Sequence, residues 1–266
     1  MSERQLQIAG VLEAVATACA FVAEAAQNAG LDAQACHQCY LAVDEACTNI
    51  VEHGYAQDPD SVIDVMCQLE RDQFVITILD DSPAFDPLAF PEPDTKAPLV
   101  HREPGGWGIF FIKKLMDRVN YMHDGSRNRL VMMKQVKPHN HHNPPVPEMP
   151  MQPIRVTEVK PKVWMIAPSG RLDAMQSREL TAVLWQVLEQ GHKWLLVDMS
   201  EVDYISSVGF KTLVSAWQRA RDLKGDLMLV TLTPRVREVM EMIGLDLVFS
   251  IADTPEKALA RLAMKK

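Results

Sequence analysis

The sequence predicts an α+β chain made of two domains, and three observations support this. Residues 137–152 read KPHNHHNPPVPEMPMQ, and five prolines among polar neighbours do not fit the interior of a helix or sheet. The residues before this stretch show helical patterns followed by strands of antiparallel appearance, which suggests a two-layer sandwich. The residues after it alternate strands with helices, which favours a mainly parallel sheet. We therefore predict domains at 1–136 and 153–266, joined by a linker at 137–152.

The elements of the first domain follow from hydrophobic periodicity and from the residues that end each run. A helix over 11–28 stops at Gly30, and a second helix over 33–53 ends near Gly54. Residues 82–105 are rich in proline and read as irregular, and residues 107–119 read as a third helix. Strands are predicted at 6–9, 62–69, 74–80, 120–123 and 129–136.

The elements of the second domain alternate along the chain. Strands are predicted at 154–159, 162–168, 194–199, 226–232 and near Val248. Helices are predicted at 174–190, 207–222, 234–243 and from Thr254 onward. Strands and helices thus alternate, as in chains that pack helices on a sheet.

The distribution of charge and hydropathy along the chain argues against some classes of binding partner. Residues 1–136 carry a net charge of −10 and residues 137–266 a net charge of +2, and neither half has a basic patch suited to nucleic acid. The apolar stretches are shorter than a membrane span, and the first ten residues do not resemble a signal peptide. We expect a cytoplasmic protein that binds neither nucleic acid nor membrane.

Two groups of residues, a pair of cysteines and a set of histidines, could bind a metal, but each also has a simpler explanation. Cys36 and Cys39 form a CxxC, but no second pair exists, and their spacing also fits one buried face of a helix. We favour core packing for both. His139, His141 and His142 lie in the proline-rich linker, where a solvated tract is favoured over a metal site.

Three segments of the first domain carry candidate chemistry. In LAVDEACTNIVEHGY (41–55), helical spacing puts Glu45, Asn49 and His53 on one side, where a carboxylate can accept a proton and a carboxamide can bind Mg²⁺. ILDDSPAFDP (78–87) ends a strand with Asp80. PGGWGIFFIKKLMD (104–117) places a glycine cluster before a helix, where backbone N–H groups can approach phosphate. A simpler interpretation exists for each segment: a solvated helix face for the first, a turn for the second, and a lone glycine cluster for the third.

Together, in this order and spacing, the three segments resemble the GHKL ATPase/kinase superfamily, and most closely the bacterial anti-sigma-factor serine kinases. The resemblance implies a two-layer, Bergerat-type α/β sandwich that binds ATP and Mg²⁺. It implies that Glu45 is the general base, that Asn49 ligates Mg²⁺, and that Asp80 reads the adenine. It also implies that Gly105, Gly106 and Gly108 hold phosphate.

The chain departs from that family pattern at three places. Ser82 and Ala84 stand where the family usually has glycine, and Pro104 precedes the glycines where an Arg is frequent. The segment RLVMMK lacks the Thr that the last strand often supplies. Ser82 and Ala84 favour an alternative, in which the first domain senses nucleotide without catalysis, whereas Glu45 and Asn49 favour the kinase.

The second domain carries a candidate modification site. In WLLVDMSEVDYISSVGFKTLVSAW (194–217), a buried strand leads to a helix, and Ser206 and Ser207 stand just before the helix. Serine is a favoured N-cap, so capping alone explains one of them. A phosphate there would bring about two negative charges to a helix N-terminus and change a protein interface.

Residues 153–266 resemble a STAS domain through SGRLDA, LLVDMSEVDYISSVGF and VMEMIGLDLVFSIADTPEKAL. By the family register Ser207 matches the phosphoacceptor, and Ser206 replaces the usual Asp. The two resemblances together imply an ATP-dependent serine kinase that modifies a STAS serine, its own or a partner's, in bacterial partner switching. They imply STAS, anti-sigma or sigma-factor partners and a homodimer. The alternative is a non-catalytic interaction protein whose STAS domain docks on a sigma-factor regulator.

Overall fold

The structure is a computed structural model, and it describes residues 3–89, 107–136, 153–242, 244–246 and 248–263. The residues described up to 136 form one compact unit, and those described from 153 onward form a second. The predicted linker at 137–152, with its histidines, lies outside the described residues. Within the described part of the chain, every helix falls short of the length or hydropathy that a membrane crossing needs.

The first unit is an antiparallel sheet with helices on one face, and the two-layer α+β class predicted from the sequence is confirmed. The strand order is β1-β2-β3-β5-β4. The strands are β1 (Arg4–Ala9), β2 (Val62–Glu70), β3 (Gln73–Asp80), β4 (Arg118–His123) and β5 (Asn128–Gln135). The helices are α1 (Leu12–Asn28), α2 (Ala33–Asn49) and α3 (Trp107–Leu115). Residues opposite each other in the antiparallel ladder share a face, so Asp80 of β3 lies beside Asn128 of β5.

The second helix differs from its predicted extent. Asp32 begins α2, because its carboxylate accepts a hydrogen bond from the Ala35 N–H at 2.7 Å. The α-helix ends at Asn49 and continues as a π-helical turn over Ile50–Gly54, which the prediction of one helix over 33–53 missed. The widened turn is closed by the bond from the Tyr55 N–H to the Ile50 carbonyl, at 2.8 Å. Turns of this kind recur at functional sites.

The third helix is shorter than the predicted span of 107–119. It ends at Leu115, whose carbonyl accepts a hydrogen bond from Lys134 Nζ at 2.7 Å. A lysine that satisfies one of the last carbonyls is a common way to end a helix. The Asp117 N–H already bonds to Met133 of β5 at 3.0 Å, so Arg118 and Val119 belong to β4 instead.

All five cysteines are buried and unbridged, which confirms that Cys36 and Cys39 pack in the core. Burial raises the pKa of the Cys36 thiol to about 11 and that of the Cys67 thiol to about 12. Such thiols are protonated and inert near neutrality. Among the described residues, no group of three or more His, Cys, Asp or Glu side chains is arranged to hold a metal ion.

The second unit has a mainly parallel five-stranded sheet in the order β12-β11-β9-β7-β6, as the alternating pattern predicted. Its strands are β6 (Arg155–Lys160), β7 (Val163–Ala167), β9 (Trp194–Asp198), β11 (Asp226–Val230) and β12 (Ser250–Ala252). A separate parallel pair, β8 (Ser169–Leu172) and β10 (Glu201–Ile205), was not predicted. The helices are α4 (Ala174–Glu189), α5 (Ser207–Asp222), α6 (Pro234–Met242) and α7 (Pro255–Ala263).

The core of the second unit explains its sequence pattern. All five residues of β11 are buried, because a central parallel strand is covered on both faces. Leu196, Met228 and Val230 pack with Leu262 of α7. The last predicted strand lies slightly later than expected, at 250–252 rather than near Val248.

Candidate functional site

Glu45 and Asn49 lie one turn apart on the last turns of α2, the arrangement predicted from their spacing. Glu45 is only 3% exposed, whereas Asn49 is half-buried. His53 falls on the π-helical turn and is exposed, so it extends the row but is not enclosed with the other two. The carboxylate and the carboxamide therefore stand together where the helix changes its winding.

Asp80 ends β3 as a buried carboxylate on the side of the sheet that faces α2. Burial raises the pKa of the Cys47 thiol of α2, and the negative charges of Asp44 and Asp80 add to that rise, which places Asp80 near this helix. Three donors converge on one of its oxygens, Oδ1. They are the Ser82 N–H at 3.0 Å, the Ser82 hydroxyl, and Asn128 Nδ2 at 2.8 Å.

Asn128 links Asp80 to the strands beyond it. Its Nδ2 also donates to the Ser82 carbonyl at 2.9 Å, while its Oδ1 accepts a hydrogen bond from the Tyr121 hydroxyl at 2.6 Å. The His123 ring nitrogen Nδ1 lies 3.1 Å from the same amide oxygen. The Tyr121 hydroxyl in turn accepts from the Phe85 N–H at 3.1 Å. The residues around 82–85 are therefore fastened to the ends of β4 and β5.

A close backbone approach joins the first two predicted segments. A Cβ atom on Gly54 would stand 2.7 Å from both Cβ and Oγ of Ser82, so only glycine fits the end of the π-helical turn. Tyr55 adds a second link: its hydroxyl donates to the Val62 carbonyl at 2.8 Å and accepts from the Asp81 N–H at 2.7 Å. Burial raises the pKa of Tyr55, so its hydroxyl stays protonated as a donor near neutrality.

Arg127 holds the edge of the same region. Its guanidinium contacts Asp64 at 2.8 Å and Asp81 at 2.5 Å. The hydrogen bond that its guanidinium donates to Asp64 is the main reason that the pKa of Arg127 is raised. Asp64 also accepts from Gln7 Nε2 at 2.8 Å, so the loop after Asp80 is tied to β1 and β2.

The third predicted segment is described only in part. Gly108 lies on the first turn of α3, which packs against α2, whereas Gly105 and Gly106 lie outside the described residues. Lys113 of α3 donates to the Leu88 carbonyl at 3.1 Å, which ties this helix to the short 3₁₀ turn at Pro87–Ala89. Parts of all three segments thus meet in one unit.

Asn128 is the residue that sequence reasoning missed. The family resemblance predicts a Thr inside RLVMMK, whereas the Asn lies one position before Arg129. The turn at Asp124–Gly125 fixes the register of β4 and β5, and that register pairs Asn128 with Asp80. A polar residue directly after the hairpin turn was the only signal in the sequence.

In the second unit the two serines take different positions. Ser206 is buried and is the N-cap of α5, where its hydroxyl accepts from the Gly209 N–H at 3.3 Å. Ser207 is the first residue of the helix and is half-buried. Capping therefore explains Ser206, and Ser207 is the more exposed of the two serines.

Gly209 brings the segments SGRLDA and LLVDMSEVDYISSVGF together. A Cβ at this position would lie 2.8 Å from Ile205 Cγ1, 3.1 Å from the Leu172 carbonyl and 3.2 Å from Ser177 Oγ. Only glycine allows the first turn of α5 to pack this closely on the end of β8 and on α4. The Thr181 and Thr212 hydroxyls, 2.9 Å apart, join the same helices further along. Met175, on the first turn of α4, is 44% exposed.

Charged groups flank this end of the second unit. Burial raises the pKa of Asp203, against the opposing influence of Arg171 and Arg235. The Arg171 guanidinium stacks on the Tyr204 ring at 3.8 Å. Asp203 Oδ1 is buried and has no hydrogen-bond partner among the described residues. The short pair β8 and β10 thus carries a polar group close to the serines.

The two units are those of a protein that joins a histidine kinase-like ATPase fold to a STAS fold. Residues 8–134 match the family described as the histidine kinase-like ATPase domain, and residues 155–258 match the STAS domain. The chain belongs to the STAS family through its second domain, and its first domain is a GHKL-type, histidine kinase-like ATPase domain.

Two curated proteins illustrate the similarity. The putative anti-sigma factor antagonist BtrV of Bordetella bronchiseptica is 32% identical over 91 residues, which cover 34% of this chain and 78% of that protein. The serine-protein kinase RsbW of Halalkalibacterium halodurans is 36% identical over 88 residues, or 32% of this chain and 53% of that one. The match thus spans about half the length of the kinase.

Among solved structures, a putative anti-sigma factor antagonist from Thermotoga maritima is similar with 20% identity and a TM-score of 0.39. The similarity covers 42% of this chain and 93% of that one. The family assignment rests on the sequence matches alone.

Proposed function

We propose that the chain is an ATP-dependent serine protein kinase of the anti-sigma-factor type, which phosphorylates a serine of a STAS domain in bacterial partner switching. The relatives named as a serine-protein kinase and as an anti-sigma factor antagonist support this, because one chain contains both kinds of domain. The proposal depends mainly on one observation, which is that two adjacent serines at the start of α5 occupy different positions. Ser206 caps α5, and Ser207 is the first residue of the helix and is half-buried.

The first domain would bind Mg²⁺–ATP with the residues assigned by resemblance. The side chains fit this role, because the Asn49 carboxamide oxygen is a hard donor of the kind Mg²⁺ prefers and Glu45 lies one turn away. Bound nucleotide would supply the phosphoryl group and the metal would neutralise its charge. Glu45 would accept the proton of the serine hydroxyl, and Asp80 would read the adenine. Gly105, Gly106 and Gly108 would hold the phosphates.

Phosphorylation of Ser207 would act as a switch through local electrostatics. A phosphate adds about two negative charges, and it would do so at a helix N-terminus, where partial positive charge is concentrated. Met175 offers an apolar contact on the first turn of neighbouring α4. A surface that is in part apolar before modification and strongly charged afterwards would exchange one protein partner for another.

The partners of the switch would be STAS-domain proteins, anti-sigma factors or sigma factors. The serine that receives phosphate would be in the same chain, in the second copy of a homodimer, or in a separate STAS protein. The expected homodimer belongs to this proposal, since the family to which the chain is similar tends to dimerise through the kinase module.

The second candidate is a nucleotide-sensing interaction protein without turnover, and two observations favour it. Ser82 fills the space against Gly54 where the family usually has glycine. Glu45, the candidate base, is 3% exposed, which leaves little access for the hydroxyl of another protein. In this reading nucleotide would stabilise one state of the first domain, and the STAS domain would dock on a sigma-factor regulator.

The deciding experiment is the intact mass of the purified chain after incubation with Mg²⁺–ATP. The kinase reading predicts a gain of one phosphate in the wild type and none in Ser207→Ala or Glu45→Gln. Ser215→Ala is the matched control, because Ser215 is a half-buried serine on the same helix and should leave the gain intact.

The same incubation with an added, separate STAS protein tests for an external substrate. If neither protein gains mass while ATP still raises the unfolding temperature, the chain binds nucleotide without transferring phosphate. That outcome would reject the kinase and favour the sensing protein.

A further inference from the structure

Asn128 is a fully engaged amide in the middle of the buried network around Asp80. Its Nδ2 donates to Asp80 Oδ1 and to the Ser82 carbonyl, and its Oδ1 accepts from Tyr121. The reverse orientation of the amide would turn its oxygen toward the Asp80 carboxylate, which is also an acceptor. The contacts therefore fix which end of Asn128 faces Asp80.

The network leaves the two oxygens of Asp80 unequal. A carboxylate offers about four lone-pair sites on its two oxygens, or about two on each. Oδ1 already receives three donors: the backbone N–H and the hydroxyl of Ser82, and the amide of Asn128. The acceptor capacity that a ligand can use therefore lies on Oδ2.

The two purines place different demands on a carboxylate. Guanine has a ring N–H beside its exocyclic amino group, and this pair of donors suits a carboxylate that accepts with both oxygens. Adenine offers its exocyclic amino group beside a ring nitrogen that accepts. One free carboxylate oxygen can accept from the exocyclic amino group of adenine, but it cannot accept from both donors of guanine at once.

We propose that Asn128 is a positioning residue that gives the nucleotide site its preference for adenine over guanine, by occupying Oδ1 of Asp80 together with Ser82. The proposal rests on the proposed nucleotide site and adds a residue and a specificity to it. Asn128 acts through Asp80, so its effect is on the choice of base and not on the phosphates.

The test is calorimetric titration of the full-length chain with Mg²⁺–ADP and Mg²⁺–GDP, which allow no phosphoryl transfer during the measurement. We expect the wild type to bind ADP at least about tenfold more tightly than GDP. Asn128→Ala should reduce that preference by about tenfold, because it removes one donor to Oδ1 and also releases the carbonyl of Ser82, the residue that supplies the other two donors. Asn128→Thr retains one hydroxyl donor and should recover part of the preference. Asn120→Ala is the control, because Asn120 is an exposed asparagine on β4 and should leave the preference unchanged.

Ser82→Ala provides a second route if Asn128→Ala fails to fold. It removes the hydroxyl donor to Oδ1 but keeps the backbone donor, so the preference for ADP should fall by a smaller factor. A wild type that prefers ADP, with the same preference in folded Asn128 and Ser82 variants, would overturn this inference and leave the nucleotide site standing. A wild type that binds neither nucleotide would overturn both.

Discussion

Replacement of each serine at the start of α5 separates a structural role from a proposed functional one. Ser206 accepts from the Gly209 N–H at 3.3 Å and is 2% exposed, whereas Ser207 is half-buried at the first helical position. We predict that Ser206→Ala destabilises the second unit, because it removes the cap of α5. Ser207→Ala should leave that cap in place and remove the proposed phosphate acceptor.

The magnitude follows from the hydrogen bond that is lost. Removal of a serine N-cap costs about 0.5–2 kcal/mol. The 3.3 Å separation is long and argues for the lower part of that range. The Gly209 N–H, however, is buried against β8 and α4 and would be left without its acceptor, which raises the cost. We therefore expect a loss of about 1 kcal/mol for Ser206→Ala.

Urea unfolding followed by tryptophan fluorescence measures this difference in the intact chain. Four of the five tryptophans (Trp164, Trp185, Trp194 and Trp217) belong to the second unit, so the signal reports mainly on it. The midpoint should fall for Ser206→Ala, with an unchanged slope. A lower midpoint for Ser207→Ala together with an unaffected Ser206→Ala would show that the cap has been assigned to the wrong serine.

Two further predictions concern the first unit. Gly54→Ala should destabilise it by about 1–3 kcal/mol, because the new Cβ would overlap Ser82. The double variant Gly54→Ala/Ser82→Gly should recover most of that loss in thermal unfolding. A double variant that is as unstable as Gly54→Ala would contradict the proposed contact. Stability should also fall as the pH rises above about 9, because burial raises the pKa of Cys36 to about 11 and of Cys67 to about 12, while the unfolded thiols ionise near 9.0. The stabilisation from these protonated thiols is complete below pH 9 and is lost toward pH 11–12. Cys67→Ala should flatten the dependence of the unfolding temperature on pH between 9 and 11, and an unchanged slope would contradict the role of this thiol.

The fold was largely predictable because its elements follow local rules. Helix α1, helix α5 and strands β2 and β3 lie within two residues of their predicted ends, since each has a strong period and a clear terminating residue. The short strands β8 and β10 were missed because they depend on each other and carry little pattern of their own. The π-helical turn was missed for a similar reason, because residues 50–54 have an unbroken helical pattern and the change of winding comes with the contact between Gly54 and Ser82.

The candidate site was predictable only where its chemistry follows from spacing within one segment. Glu45 and Asn49 needed only helical periodicity, and Ser206 and Ser207 needed only their place before a helix. Asn128 needed the register between two strands that are far apart in sequence, and nothing local indicates that register. The division between a capping and an accessible serine likewise required the backbone geometry at the start of α5.

Two of the departures from the family pattern are physically connected in the structure. Ser82 stands where the related kinases usually have glycine, and the last strand lacks the Thr that they often supply. In the structure Ser82 and Asn128 share the same oxygen of Asp80 and bond to each other, with Asn128 Nδ2 at 2.9 Å from the Ser82 carbonyl and 3.1 Å from its hydroxyl. The serine alone would crowd the carboxylate, but with Asn128 beside it the same serine orients that carboxylate. The two residues should therefore be coupled, so that Ser82→Gly costs less stability in an Asn128→Thr background than in the wild type. If the stability costs of the two substitutions are additive instead, the two departures arose independently. Ser82 would then be better explained as a substitution that impairs a kinase site.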